Sequence, residues 1–308
     1  MLISQSDDYV DCAIIVIAHN SAEHIDRFLD SIPAAAGDLR VRCLLVDNQS
    51  SDDTRAIVRR RSDVTMLDSG GNLGYSGGIN VGRVRAGPCA SLLFVNPDLE
   101  FEPGAILTLR NGLNAPGVGV TVPMMLRPDG QVQPTLRREP TILRALGEAL
   151  FGDRLPLRPG WLSETIRDPR AYHEARDADW ATGAVLCVSS ECNGAVGDWD
   201  ERRFFLYSEE TDYAVRVRQR GYRIRYLPGA RVLHEPGGSG RPATLDALAS
   251  VNRLRYYEKY HGRASASLFR AVVALKHLLR YWDPDDRLAL RHVCHRASWA
   301  ELPGARAG

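Results

Sequence analysis

Short β-branched apolar runs alternate with helix-period segments through the first hundred residues, and this alternation limits the chain's possible folds more than any other feature. Ala13-Ile14-Ile15-Val16-Ile17 is apolar at every position, so it predicts a strand covered on both faces. A helix capped by Ser21 is predicted next, with Ile25, Phe28, Leu29 and Ile32 on its inner side. Residues 41–46 predict a second strand, Asp52 or Asp53 caps a helix through Val58, and 64–67 and 91–95 predict two more strands. Strands separated by helices at this spacing are βαβ units. They imply an α/β, Rossmann-like fold with a mainly parallel central sheet and helices on both faces. In open sheets of this kind ligands bind beyond the carboxyl ends of the strands, so the polar residues that follow each strand are the candidate site.

The remainder is less regular. Residues 115–180, rich in Pro, Gly and Arg, read as loops plus one helix near 141–151. Order returns at 180–188, and an acidic and aromatic segment follows at 198–212. A helix is predicted after it, with Tyr213, Val215 and Val217 inward and Gly221 as its end. Residues 224–227 and 231–233 are strand-like, and 244–260 and 265–282 are helical. The last helix sets Leu268, Val272, Leu275, Leu278 and Leu279 against Arg270, Lys276 and Arg280.

With 308 residues, 44% of them hydrophobic, the chain can bury a substantial core, which excludes disorder and low-complexity fibres. A net charge of +1 gives no global attraction for nucleic acid. No apolar stretch approaches the roughly 20 residues that span a bilayer. The acidic start (Asp7, Asp8, Asp11) reverses the charge order of a secretory signal. Cysteines 12, 43, 89, 187, 192 and 294 fit no common zinc spacing and read as buried free thiols of a reducing cytoplasm.

Five features carry chemistry. Asp47 and Asp98 each follow an apolar run, and a carboxylate there can bind a nucleobase or ribose or ligate a hard cation. The run Gly70-Gly71-Asn72-Leu73-Gly74-Tyr75-Ser76-Gly77-Gly78-Ile79-Asn80 can bring backbone close to a bulky ligand. Asp, Asn and Gly are equally what plain turns use. The glycine run lacks both the dinucleotide fingerprint and a phosphate-loop Lys-Ser/Thr. Ser208-Glu209-Glu210-Thr211-Asp212 places three carboxylates beside an aromatic run. Acids in such a setting acquire the raised pKa of a general base, and acids at a helix start are also simply favourable. His234 ends a strand-like run before Glu235-Pro236-Gly237-Gly238, which suits a metal ligand or a structural histidine.

In this order these residues resemble the inverting family 2 glycosyltransferases, in particular their rhamnosyltransferase-like branch. The matching stretches are Ile14-Ile15-Val16-Ile17-Ala18-His19-Asn20, Val46-Asp47-Asn48-Gln49-Ser50-Ser51-Asp52, the glycine run from Gly71 to Asn80, and Asn96-Pro97-Asp98. Trp180-Ala181-Thr182-Gly183-Ala184, Phe205-Leu206-Tyr207-Ser208-Glu209-Glu210-Thr211-Asp212 and Val232-Leu233-His234 complete a set that spans about residues 12–240.

The resemblance implies a GT-A fold over 1–240, with a nucleotide-sugar half at about 10–115, an acceptor half at about 175–240, and a C-terminal helical extension over 241–308. It implies transfer of a sugar from a nucleoside diphosphate to an acceptor hydroxyl with inversion, dTDP-L-rhamnose being the first donor to consider and UDP- or dTDP-hexoses the next. Asp47 would bind the base, Asn72 and Gly74 would shape the donor pocket, and Ala18, Asn20, Asn80 and Asn96 would join them. Asp98 and His234 would hold Mn²⁺ or Mg²⁺, whose oxygen and nitrogen preferences they suit. Glu210 would be the general base, with Glu209 or Asp212 orienting the acceptor and Gly183 and Trp180 beside it. The acceptor would be a glycan, lipid-linked saccharide or natural product, and the location cytoplasmic.

The chain departs from the family pattern in three places. Asn96-Pro97-Asp98 stands where Asp-x-Asp is usual, Glu209-Glu210 where Glu-Asp is common, and Asp198 at a usual glycine, with one extra Arg nearby. A non-catalytic nucleotide-sugar-binding subunit is the rival reading, but a mere binder has no use for a base facing the acceptor. A nicotinamide-dependent oxidoreductase is opposed by the missing fingerprint. Residues 263–308 hold eight Lys or Arg against four Asp or Glu. The last helices are either packed on the domain or held at a membrane's inner face.

Overall fold

The computed structural model describes residues 8–152, 158–235 and 242–304. The Pro236-Gly237-Gly238 segment and the boundary expected at 240 lie outside the described residues. In chain order the elements are β1 (Cys12–Ala18), α1 (Ile25–Ala36), β2 (Val41–Asp47), α2 (Thr54–Val58), β3 (Thr65–Asp68), α3 (Gly74–Arg85), β4 (Ser91–Val95), β5 (Leu99–Phe101), α4 (Ala105–Gly112) and β6 (Val118–Leu126). They continue with β7 (Leu136–Arg137), α5 (Ile142–Phe151), β8 (Arg176–Ala178), β9 (Trp180–Ala181), β10 (Val185–Ser189) and α6 (Ser190–Val196). The chain then forms α7 (Glu209–Gln219), β11 (Arg223–His234), α8 (Ala243–Tyr260), α9 (Arg263–Leu278) and α10 (Pro284–Cys294).

Alternate residues of β1 feed two separate cores. Ala13, Ile15 and Ile17 pack on one side of the sheet with Ile79, Trp199 and Tyr213. Cys12, Ile14, Val16 and Ala18 pack on the other with Phe28, Ile32, Ile106 and Leu109. Period-two alternation with both faces covered is why the run has no polar position. Nine strands form the sheet in the order β3-β2-β1-β4-β10-β6-β11-β5, with β8 beside β11. β3, β2, β1 and β4 pair in parallel, as do β6 and β11. β10 lies antiparallel between β4 and β6 and joins the two parallel parts. The α/β class, the central sheet and its two helical layers are as expected.

Several local expectations are corrected. Ser21 does not cap α1: its carbonyl receives the His24 and Ile25 N–H groups, and the N-cap position is His24. The 115–180 region contains β6, one of the longest strands, whose Gly119 and Pro123 mask it in the sequence. A tenth helix, α10, follows the expected two. The face of α9 is rotated from the expected one. Ala266, Phe269, Val272 and Val273 are buried against α5, while Leu268, Leu278 and Leu279 are exposed. No helix among the described residues is long and apolar enough to cross a membrane.

The glycine run is largely a helix. A Cβ at Gly82 would stand 2.3 Å from Ile15 Cγ2, so α3 lies directly on β1. Gly74 begins α3 with φ +71°, and a Cβ there would meet the Phe205 carbonyl at 2.0 Å. Replacing Gly82 with Ala should lower the unfolding free energy by about 1–3 kcal/mol through overpacking, although alanine is the better helix former by about 1 kcal/mol. Urea denaturation measures the change, and a stabilised variant would mean that α3 is not seated on β1 as described.

Candidate active site

A cleft of about 1000 Å³ opens at the carboxyl ends of β1, β2 and β4, and Asn20, Asn48, Asn72, Gly74, Tyr75, Asn96 and Asp98 line it. Asn48 organises its floor. Its side-chain amide donates to Asn72 Oδ1 and the Gly74 carbonyl, both at 3.1 Å, and its Oδ1 accepts the Leu73 N–H at 2.9 Å. Asn72 Oδ1 also accepts the Gly74 N–H. The turn after β3 is thus locked to the end of β2 before any ligand arrives. Among the described residues the non-glycine positive-φ positions are Asn20, Gln49, Tyr207 and Ser208, all at this cleft or at the start of the acidic helix. Such backbone persists only where surrounding bonds over-determine it.

Asp98 lines the cleft, and His234 stands beside it with its Nε2 3.4 Å from Asp98 Oδ2. Asp98 Oδ1 is buried without a hydrogen bond. His234 Nδ1 lies 2.9 Å from Gln133 Oε1. Donation of Nδ1–H to that oxygen leaves the Nε2 lone pair on the Asp98 side, the arrangement that orients a ligating histidine. The two are a pair: among the described residues no group of three His, Cys, Asp or Glu is placed to hold a metal. An unsatisfied carboxylate oxygen beside an oriented imidazole fits a hard divalent cation whose other ligands come from substrate or water.

The acidic cluster splits into two environments. Glu209 and Glu210 begin α7 directly after the left-handed Tyr207 and Ser208. Burial pushes both carboxyls above the usual range, Glu209 further because Glu210 stands beside it. One oxygen of each is buried without a hydrogen bond. A Cβ on Gly183 would sit 3.3 Å from Glu210 Cβ, and the Gly183 carbonyl accepts the Tyr75 hydroxyl at 2.7 Å. Tyr75 therefore stands between the cleft and the acid pair, and Glu209, Glu210 and Asp98 all raise its pKa after burial does. Asp212 is different. It has 0% exposure and accepts from Lys259, Tyr260 and Arg216 at 2.6, 2.7 and 2.9 Å.

Other expected site residues take several positions. Asp47 is buried at the end of β2 with the Arg55 Nε 3.5 Å from its Oδ2, and the Ala18 carbonyl receives the Asn48 N–H. Asn80 does not line the cleft; its amide clamps both backbone groups of Trp199. Trp180 is buried, with its indole N–H on the Arg138 carbonyl. Asn48, Tyr75 and Gln133 went unsingled in the sequence. The first two lie inside matched motifs, whereas nothing local marks Gln133.

A family model described as glycosyl transferase family 2 matches residues 13–168. An N-acetylglucosaminyl-diphospho-decaprenol L-rhamnosyltransferase of Mycobacterium tuberculosis is 31% identical, over 79% of this chain and 82% of its own length. A low-salt glycan biosynthesis hexosyltransferase of Haloferax volcanii is 29% identical over 73% of this chain and 67% of its own. Among solved structures, a mannosyltransferase of Pyrobaculum calidifontis with GDP-mannose and Mn²⁺ matches in fold at TM-score 0.55 and 17% identity, covering 97% of this chain and 78% of that one.

The raised carboxyls set a pH signature. A glutamate whose folded pKa lies above its unfolded value of about 4.3 supports folding below that pH and ceases to as pH rises through the folded pKa. Glu209→Gln does not titrate, so in the ligand-free protein its melting temperature should exceed the wild-type value at pH 7–8 and converge with it below about pH 4. Equal melting at pH 8 would contradict the buried, unpaired environment. Asp212→Asn should instead destabilise by about 3–5 kcal/mol, because it leaves buried cations uncompensated; denaturant unfolding measures it.

Proposed function

The chain belongs to glycosyl transferase family 2 and carries a GT-A fold, and on that premise we infer that it is an inverting, divalent-metal-assisted rhamnosyltransferase acting on a lipid-linked saccharide. The observation that carries this reading is the Glu209–Glu210 pair, each with one unsatisfied oxygen, separated by Tyr75 and Gly183 from the cleft lined by Asp98, against which His234 stands. The lipid-linked acceptor and L-rhamnose draw support from the name of the mycobacterial relative, which matches most of the chain.

In this mechanism Asn48, Asn72 and Gly74 hold the nucleotide side of the donor, and Asp47 takes the base. Glu210 is the better placed base: it is half-buried and in contact with Gly183, while Glu209 is fully buried. The acceptor O–H proton passes to the Glu210 carboxylate as the new C–O bond forms at the anomeric carbon. The bond to the diphosphate breaks on the opposite face, and the nucleoside diphosphate leaves with the electron pair. No second carboxylate is needed behind the sugar, so configuration inverts. Asp98 and His234 would hold Mn²⁺ or Mg²⁺, which offsets charge growing on the leaving diphosphate. The raised pKa of Glu210 keeps it basic enough to take the proton near neutrality.

Glu210→Gln should lower turnover by about 100- to 10,000-fold while nucleotide binding survives. Asp98→Ala should weaken metal and donor binding together. The decisive assay is a thermal-shift panel of nucleotide sugars with and without Mn²⁺, since ligands bound only by the folded state raise its melting temperature. Stabilisation by dTDP-L-rhamnose, increased by Mn²⁺, is expected. Stabilisation by a UDP-hexose alone would replace the donor, and retained turnover in Glu210→Gln would remove the base assignment.

A further inference from the structure

Among the described residues ten large apolar side chains are exposed, and eight of them come from 143–161 and 268–282. Leu143 and Leu150 lie on α5, Trp161 on a short 3-10 helix at Gly160–Leu162, Leu268 and Leu278 on α9, and Leu279, Tyr281 and Trp282 just after it; α5 and α9 pack together through Ala145, Ala149, Phe269 and Val273. Exposed leucines and tryptophans collected on adjacent elements mark an interaction surface. Trp282 is 73% exposed.

Beside this surface lies a second cavity of about 1100 Å³, separate from the donor cleft. Leu150, Leu279 and Trp282 line it together with Arg158, Arg167, Lys276 and Arg280. Its acids are already engaged. Arg253 pairs with Glu148 and Glu164, His277 with Asp286, and Asp283 accepts the Asp285 N–H. Burial pushes the Glu164 carboxyl up to about 7, which reduces its negative charge near neutrality. Three of its cations, Arg158, Lys276 and Arg280, are not matched in the same way among the described residues. Among the described residues Arg158 and Arg280 donate to backbone carbonyls alone. Half-buried Lys276 makes no hydrogen bond or ion pair among the described residues; burial, then Arg253, holds its pKa below the usual lysine value. Six cationic side chains (Arg137, Arg158, Arg167, Arg253, Lys276 and Arg280) line the hollow against four acids (Glu148, Glu164, Asp283 and Asp286), and such an excess of guanidinium and ammonium groups in a partly desolvated hollow favours a multivalent oxyanion. Arg137 lines the same cavity, and its charge also acts on Glu210, holding the rise of that carboxyl's pKa in check.

We propose that this cavity receives the diphosphate of the lipid-linked acceptor, with the adjoining hydrocarbon lying over Leu150, Leu279 and Trp282. The proposal rests on the acceptor being lipid-linked. Lys276 and Arg280 would bind the phosphate oxygens, Arg137 would mark the passage toward Glu210, and the exposed apolar side chains would meet the membrane surface. Arginine and lysine stems with tryptophan at such a boundary satisfy both the apolar and the charged layers.

Flotation of the full chain tests it. Phosphatidylcholine vesicles containing a long-chain polyprenyl diphosphate are compared with vesicles of equal charge made with phosphatidylglycerol, each with and without free pyrophosphate. Binding to the diphosphate vesicles, competed by pyrophosphate and weaker on phosphatidylglycerol, is expected. Lys276→Gln/Arg280→Gln should weaken it about 10- to 100-fold, with melting shifts by nucleotide sugars unchanged. Leu279→Ser/Trp282→Ser, at exposed positions, should reduce flotation even if the charge variant folds poorly. Equal binding to both vesicle types, or undiminished binding by either variant, would overturn the cavity assignment. Sugar transfer to a detergent-solubilised polyprenyl-diphosphate saccharide separates the two readings. Transfer by wild type and the charge variant alike removes the cavity and leaves the acceptor, whereas diphosphate binding without transfer removes the acceptor and leaves the cavity.

Discussion

Asp212 has no exposed surface, and both of its oxygens are taken by donors from two helices: Arg216 from its own α7, and Lys259 and Tyr260 from α8. A buried carboxylate is tolerated only when its lost hydration is replaced in this way. The requirement fixes α7 against α8, and with it the first turn of α7, which carries Glu209 and Glu210. Asn252 of α8 donates to the carbonyls of Leu206 and Tyr207, which supports the left-handed turn that starts α7. Lys259 also reaches Asp200 and lies over the Phe204 ring. The C-terminal helices are therefore part of the scaffold that aims the acid pair.

Three acids within four residues thus have opposite electrostatic fates. Asp212 is saturated with donors and serves position. Glu209 and Glu210 lack hydrogen bonds at one oxygen each and are pushed toward the protonated form by burial. Separation of environments between neighbouring carboxyls is how one protein region supplies both a rigid anchor and a group that can take a proton near neutrality. Tyr75 links that group to the donor cleft, because its hydroxyl holds the Gly183 carbonyl while its backbone N–H binds the Phe205 carbonyl. The Asn48 network sets the other wall in advance, so the cleft spends little ordering energy on ligand binding.

The two cavities differ in chemistry. The cleft at the strand ends is lined by the amides of Asn20, Asn48, Asn72 and Asn96 together with Asp98, Glu235, His19 and apolar side chains such as Phe205, whereas the hollow beside α5 and α9 carries six cations against four acids. Only two lysines occur in the whole chain, Lys259 and Lys276. One neutralises Asp212, and the other lines the second cavity with no hydrogen bond or salt bridge among the described residues. Some arginines elsewhere are held in ion pairs, such as those of Arg61 with Asp30 and Asp63.

Sequence alone determined the strands of the parallel half, the helices between them, and the ordered motifs that end at Asp47, Asp98, Glu210 and His234. These are signals of local periodicity and of residue type at strand ends, which a few neighbouring residues are enough to produce. The tertiary structure decided which of those residues meet. Asn80 was drawn into clamping Trp199, and the glycines of the run from Gly74 to Gly82 seat a helix on β1. The inward face of α9 was chosen by α5, more than a hundred residues earlier, which left Leu268, Leu278 and Leu279 outside. Asp212 became an anchor because Lys259 and Tyr260, 47 and 48 positions away, converge on it. Burial, and with it the pKa of a carboxyl, depends on such long-range neighbours, which local pattern does not encode.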